Sequence, residues 1–184
     1  YDSEDDKAIK EINAQVIKGF GLKHGAAHSE YIKCNDDGRV YFLETSSRVG
    51  GAHLAEMVEA ASGINLWKEW AKIEIDAKLN KPYKLPKVKE KHGGIIVSLS
   101  RFKDPDTSVF NDKEIAWRLK KEYHIGLILH AKDRNRILSL LDDYTERVKK
   151  DFHASAPAKE KLVGETPHDV SHGEYEDNDW AGKE

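Results

Sequence analysis

The chain has 184 residues, room for one domain with a soft upper limit near two, and its 34% charged and 39% hydrophobic content is ordinary for a soluble protein with a modest core. A net charge of −3 without a basic stripe disfavours nucleic-acid binding, and no apolar run approaches the roughly 20 residues of a membrane span. The single cysteine, Cys34, excludes an intrachain disulfide and, with no signal peptide visible, places the chain in a reducing cytoplasm. Position 1 is not methionine and Met57 is the only methionine, so the chain is expected to be a piece of something longer.

Ser3 predicts the N-cap of a first helix, with acids at positions 4 to 6 suiting its positive end. Ile9, Ile12 and Val16 form an apolar stripe, and Gly19 and Gly21 stop the helix. A β-hairpin follows, because two runs rich in aromatic and β-branched residues flank Asp36-Asp37-Gly38, a three-residue loop with glycine in the left-handed position. Closing the loop there pairs Asn35 with Arg39, which sets Glu30 opposite Glu44 and His28 opposite Ser46 on one face. A register one residue different would send the two glutamates to opposite faces.

Facing carboxylates weaken a sheet unless something positive lies between them, and a hard divalent cation is the natural candidate. Arg48 follows with a planar fork of donors suited to a carboxylate or phosphate. Gly50 and Gly51 then let backbone N–H groups approach a ligand where the helical pattern Leu54, Met57, Val58, Ala61 begins. Cation, arginine and anion hole in so short a stretch predict a place that holds phosphate groups.

Helices are expected near 52–62 and 65–77, separated by Ser62-Gly63; the second carries Leu66, Trp67, Trp70 and Ile73 as core or helix-packing residues. Residues 78–92, with two prolines amid lysines, read as a linker or extended arm. Strands are expected at 94–100 and 124–130, with 115–120 ambiguous and strand preferred because Ile115, Trp117 and Leu119 alternate. Asp133 caps a last helix whose apolar positions run from Ile137 to Val148. Asp104-Pro105-Asp106 is a turn before it is a metal site, and His124 and His130, on one face of a strand, are packing or interface residues. From His153 on, three lysines meet eight acids, leaving +2 for residues 1–152. That acidic tail is expected to be disordered, with Trp180 a free residue before it is a docking motif.

At the hairpin and the turn after it, over about 19–77, the chain resembles the ATP-grasp superfamily. Its members carry a glutamate on one strand and Glu-x-Asn-x-Arg on the next, matched here by Glu30 in His28-Ser29-Glu30 and by Glu44-Thr45-Ser46-Ser47-Arg48. Ser46 stands where the family has asparagine. The Arg-x-Gly-Gly continuation and Ala61-Ser62-Gly63-Ile64-Asn65-Leu66 are similar to the branch of carboxylate–amine ligases and carbamoyl-phosphate-synthase-like proteins. The resemblance implies an α+β fold: the C-terminal half of an ATP-grasp domain over 1–80, a linker at 81–92, a small α/β unit at 93–152, and the tail at 153–184.

It also implies ATP with Mg²⁺ or Mn²⁺. Glu30, Glu44 and Ser46 would hold metal, Arg48 would act on the transferring phosphoryl group or the substrate carboxylate, and Gly50, Gly51 and His53 would meet substrate. His53 is equally a packing residue, and His28 either supports the site or is structural. The implied parent is a ligase that joins a carboxylate to an amine through an acyl phosphate, with a homodimer left open. The family's phosphate-grasping lysines and glycine-rich loop lie in an N-terminal half, the expected missing partner, so this chain alone is expected not to turn over ATP. The rival reading is a non-catalytic ATP-grasp-like scaffold or interaction module.

Overall fold

The Ser3 hydroxyl accepts a hydrogen bond from the Asp6 backbone N–H at 3.2 Å and starts α1 (Glu4–Gly19) in the computed structural model, which describes residues 3–154. No residue of α1 is buried. Polar tethers hold it on the hairpin β1 (His28–Lys33) and β2 (Val40–Ser46): the Tyr31 hydroxyl donates to Asn13 Oδ1 at 2.8 Å, and Lys33 Nζ to Asp5 at 2.7 Å.

The hairpin closes one residue differently from expectation. Cys34, not Asn35, stands opposite Arg39, whose carbonyl accepts the Cys34 N–H at 2.8 Å, so the loop has four residues. Asp37 builds that loop by accepting from the Arg39 N–H and the Tyr41 hydroxyl, and those two bonds hold its carboxyl below the usual range. The shifted register persists through Ile32–Tyr41 and Tyr31–Phe42. A bulge then leaves Leu43 unpaired and restores Glu30 opposite Glu44 and His28 opposite Ser46. The expected facing of the glutamates holds, through a loop and a bulge that offset each other.

α2 (Leu54–Ser62) begins two residues later than expected because Ala52 and His53 take left-handed conformations, φ 50° and 63°. Asn65 caps α3 (Leu66–Lys78) by accepting from the Lys68 N–H. Of the two alternatives expected for the aromatic residues of α3, core or helix packing, core fails at Trp67, which is 54% exposed; Trp70 is half-buried and donates to Glu74. α3 packs on α2, and the Trp67 ring lies 6.1 Å from that of Trp70. The residue buried on α3 is Glu69, held by Lys72 and the Tyr83 hydroxyl, which keep its carboxyl low.

The remaining strands are β3 (His92–Leu99), β4 (Ile115–Arg118) and β5 (His124–Ala131), in the antiparallel order β3-β5-β4. Ile125, Leu127, Ile128 and Leu129 of the central strand are fully buried, because helices cover both faces. α4 (Arg134–Asp151), capped by Asp133, brings Ile137, Leu140, Tyr144 and Val148 onto one face, and α2 covers the other. Neighbouring glycines on β3 admit both helices. A Cβ at Gly93 would stand 3.1 Å from Met57 Cγ on α2, and one at Gly94 would stand 3.0 Å from Ile137 Cγ2 on α4.

Residues up to Ala154 thus form one compact unit. The stretch 81–92 runs inside it, pinned where the Lys89 N–H donates to the Ser62 carbonyl at 2.7 Å. His153 and Ala154, expected to belong to the tail, are held at the end of β3 by the Ser98 hydroxyl and the Leu99 carbonyl. The rest of the acidic tail, Trp180 included, lies outside the described residues.

Gly94→Ala should lower the unfolding free energy by about 1–3 kcal/mol, the usual cost of an added methyl in a tight contact, because Ile137 and Leu141 cannot both retreat. Chemical denaturation measures this, and an unchanged midpoint would show that α4 has room to move. A second test uses Tyr144, whose buried hydroxyl donates to Asp112 and is pushed up to about 12, by burial first and then by that bond. A hydroxyl kept neutral by the fold stabilises fully below its ordinary value near 10 and progressively less as pH rises through its folded value. Tyr144→Phe should therefore cost about 1–3 kcal/mol at neutral pH and flatten the loss of stability between pH 10 and about 12. Urea unfolding at stepped alkaline pH reads both effects.

Candidate functional site

Glu30 and Glu44 are paired residues, so their side chains share one face, which also carries His28 and Ser46 two residues along each strand. The opposite face carries Tyr31 and Lys33, turned to α1. On the glutamate face Ile32, Tyr41 and Leu43 are 53%, 46% and 54% exposed. That face is open among the described residues.

Electrostatics across the pair are unbalanced. Glu30 accepts a hydrogen bond from His28 Nε2 at 3.2 Å, while Glu44 has no hydrogen-bond or ionic partner among the described residues. No lysine or arginine lies between them. The donor set suits a hard cation such as Mg²⁺, with the Ser46 hydroxyl two residues beyond Glu44 as a weaker oxygen. Among the described residues no group of three or more His, Cys, Asp or Glu side chains converges on one point, so such a cation would take its other oxygens from water or a bound phosphate.

The Arg48 N–H donates to the Ser46 carbonyl at 2.8 Å, which turns the chain sharply off the end of β2. Its guanidinium is exposed, donates from Nη1 to the Val49 carbonyl at 3.0 Å, and makes no ion pair among the described residues. The remaining donors of the fork are therefore available to an anion. Val49 and Gly50 are buried behind it, and Gly51 is exposed.

His53 is held away from this face. Its ring stacks on Trp117 of β4 at 4.6 Å, and Nδ1 faces Glu56 at 3.6 Å. It is the left-handed residue at the start of α2 and gives that helix no side-chain cap. His28 bonds Glu30, and a Cβ added at Gly50 would stand 3.0 Å from its Nδ1. Nothing in the sequence singled out the Gly50 contact, because it joins segments that meet only through the bulged hairpin.

A cleft of about 600 Å³ opens beside these residues, with Asn13, His28, Val49, Trp70, Ile73 and Tyr83 on its walls. Its lining is mainly apolar and includes Gly50 but not Glu30, Glu44 or Arg48. His130, the other histidine of interest, lies beside Lys91 at 3.3 Å, and burial followed by that charge lowers its proton affinity.

Among solved structures, that of phosphoribosylglycinamide synthetase from Anaerococcus prevotii matches with a TM-score of 0.52 and 21% identity, over 79% of this chain and 42% of that one. The α+β fold is like that of part of this synthetase. The chain spans less than half the length of the synthetase it matches. No family model and no curated protein matches. Among the described residues no helix is long and apolar enough to cross a membrane.

Glu44→Gln removes one of two facing charges and should stabilise the metal-free chain by roughly 0.2–1 kcal/mol, the size of a cross-strand pair term. Excess MgCl₂ should raise the melting temperature of the native chain and leave Glu44→Gln unmoved. Melting curves in EDTA and in MgCl₂ read both effects, and a Mg²⁺ response that survives in Glu44→Gln would remove Glu44 from the site.

Proposed function

We propose that the chain is the metal-binding and acceptor-side part of an ATP-dependent ligase joining a carboxylate to an amine. The observation that carries the reading is the facing Glu30–Glu44 pair, in which Glu44 has no partner among the described residues, with Arg48, which makes no ion pair among them, next along the chain. The ATP-grasp fold supports it.

In this reading Glu30 and Glu44 hold Mg²⁺ or Mn²⁺, with Ser46 at the margin. When bound, the ion would offset negative charge gathered during phosphoryl transfer. An oxygen of the substrate carboxylate attacks the γ-phosphorus of ATP, the bond to the bridging oxygen breaks, and ADP leaves. The amine nitrogen then attacks the acyl carbon, inorganic phosphate departs, and the nitrogen gives up a proton. Arg48 grips paired oxygens of the phosphoryl group or the carboxylate with its planar fork. The N–H groups of the Gly50–Gly51 turn lie within the same short segment and suit the carboxylate or oxyanion. The adenine pocket and the phosphate-grasping lysines belong to the N-terminal half of such a domain. The carboxylate–amine branch rests on the Arg-x-Gly-Gly sequence.

One observation favours a second reading. Ser46 in place of asparagine offers a shorter ligand, which suits a scaffold that keeps the fold without the reaction. ATP-dependent phosphate release, measured on the longer protein containing this chain across amino acids and small carboxylates, separates the two. Turnover that needs Mg²⁺ and both substrates supports the ligase, and none with any pair supports the scaffold.

Arg48→Lys keeps the charge but replaces a fork with a point donor. If Arg48 acts in the transition state, kcat and kcat/KM should fall together, by roughly ten- to a thousandfold. If it holds the ground-state carboxylate, KM should rise with kcat little changed. A fully active Arg48→Ala enzyme would take Arg48 out of the site.

A further inference from the structure

Gly50 is not glycine for the sake of its own backbone. Its φ lies outside the left-handed range, so an alanine would suffer no conformational strain there. What excludes a side chain is an imidazole. A Cβ at Gly50 would stand 3.0 Å from His28 Nδ1 and 3.5 Å from Leu54 Cβ. The contact with His28 is tighter than ordinary van der Waals distance, so the ring would have to give way by a few tenths of an ångström. The far side of that ring is committed, because Nε2 holds Glu30 Oε1 at 3.2 Å. The ring is half-buried, its side chain 24% exposed against 47% for Glu30.

We infer that His28 is a positioning residue: it spans from the Gly50 turn to the Glu30 carboxylate and sets where that carboxylate points. The inference rests on the proposed cation site for its purpose, but its mechanics rest on the two contacts alone. One imidazole fixes the distance between a carboxylate on a strand and a turn that leads into a helix. Displacement of the turn is therefore passed to Glu30 through a rigid ring. This also assigns Gly50 a role different from Gly51: Gly50 makes room for His28, while Gly51 is exposed beside Arg48.

Two measurements on the 184-residue chain decide it. The first is a double-mutant cycle in thermal stability. Gly50→Ala should lower the melting temperature, and His28→Ala should relieve most of that loss, so the double variant loses clearly less than the two single losses together. Additive losses would mean that Gly50 does not answer to His28 and would overturn the coupling.

The second is broadening of the hairpin amide resonances by MnCl₂. Native chain should show it and Glu30→Gln should lose it. His28→Ala should need roughly ten- to a hundredfold more Mn²⁺, the usual cost of removing a residue that orients a metal ligand. His28→Gln, whose side-chain amide can donate from nearly the place of Nε2, should restore most of the affinity, which a merely structural role would not predict. If Glu30→Gln abolishes broadening while His28→Ala leaves it intact, the positioning role falls and the cation site stands. If the native chain shows no broadening at the hairpin, the cation site and the positioning role fall together.

Discussion

The clamp of α2 and α4 on the two faces of β3 and β5 is the constraint on which the rest of the molecule depends. Its closeness is set at Gly93 and Gly94, where a strand without side chains lets Met57 and Ala61 approach from one side and Ile137 and Leu141 from the other. β5, buried on both faces, supplies most of the apolar contact, and Phe110, Tyr144 and Phe152 complete the cluster. Burial of this kind stabilises by roughly 25 cal/mol per Å² of apolar surface. Neither α1 nor the hairpin has a comparable share.

The candidate site hangs from that clamp. α2 is fixed on the sheet, its first residue follows the left-handed Ala52–His53 pair, and His53 stacks on Trp117 of β4. The Arg48–Gly51 turn is thereby anchored at its far end, and His28 ties its near end to β1. The site is thus built between a well-packed half and a sparsely packed one. The hairpin meets α1 through polar tethers, and its glutamate face is covered by nothing among the described residues. On that face Ile32 and Tyr41 are exposed beside the two facing carboxylates.

Charge is handled differently in the two halves. In the packed half Asp112 and Glu114 are answered by Arg136 and, for Asp112, by Tyr144, so each carboxylate is held low by bonded donors. Glu69 on α3 is answered by Lys72 and Tyr83 in the same way. Glu44 has no such answer among the described residues and Glu30 has only His28.

The sequence by itself determined whatever depends on neighbours along the chain. Ser3 and Asp133 mark helix starts because their side-chain oxygens satisfy N–H groups two or three residues away. The apolar run inside 124–130 announces a strand, and the fold adds that helices bury it on both faces. The spacing of Glu30, Glu44 and Arg48 is legible for the same reason, since a hairpin is a local object. Tertiary structure alone decided how that hairpin reaches its register, because the Asp37 loop and the Leu43 bulge cancel only when closed together. It also decided that Trp67 stays exposed while Glu69 is buried, since periodicity marks an apolar stripe without saying what covers it. The partners of His53 and His28 come from other segments, Trp117 on β4 and the turn at Gly50, and no spacing along the chain encodes a contact made by folding across it.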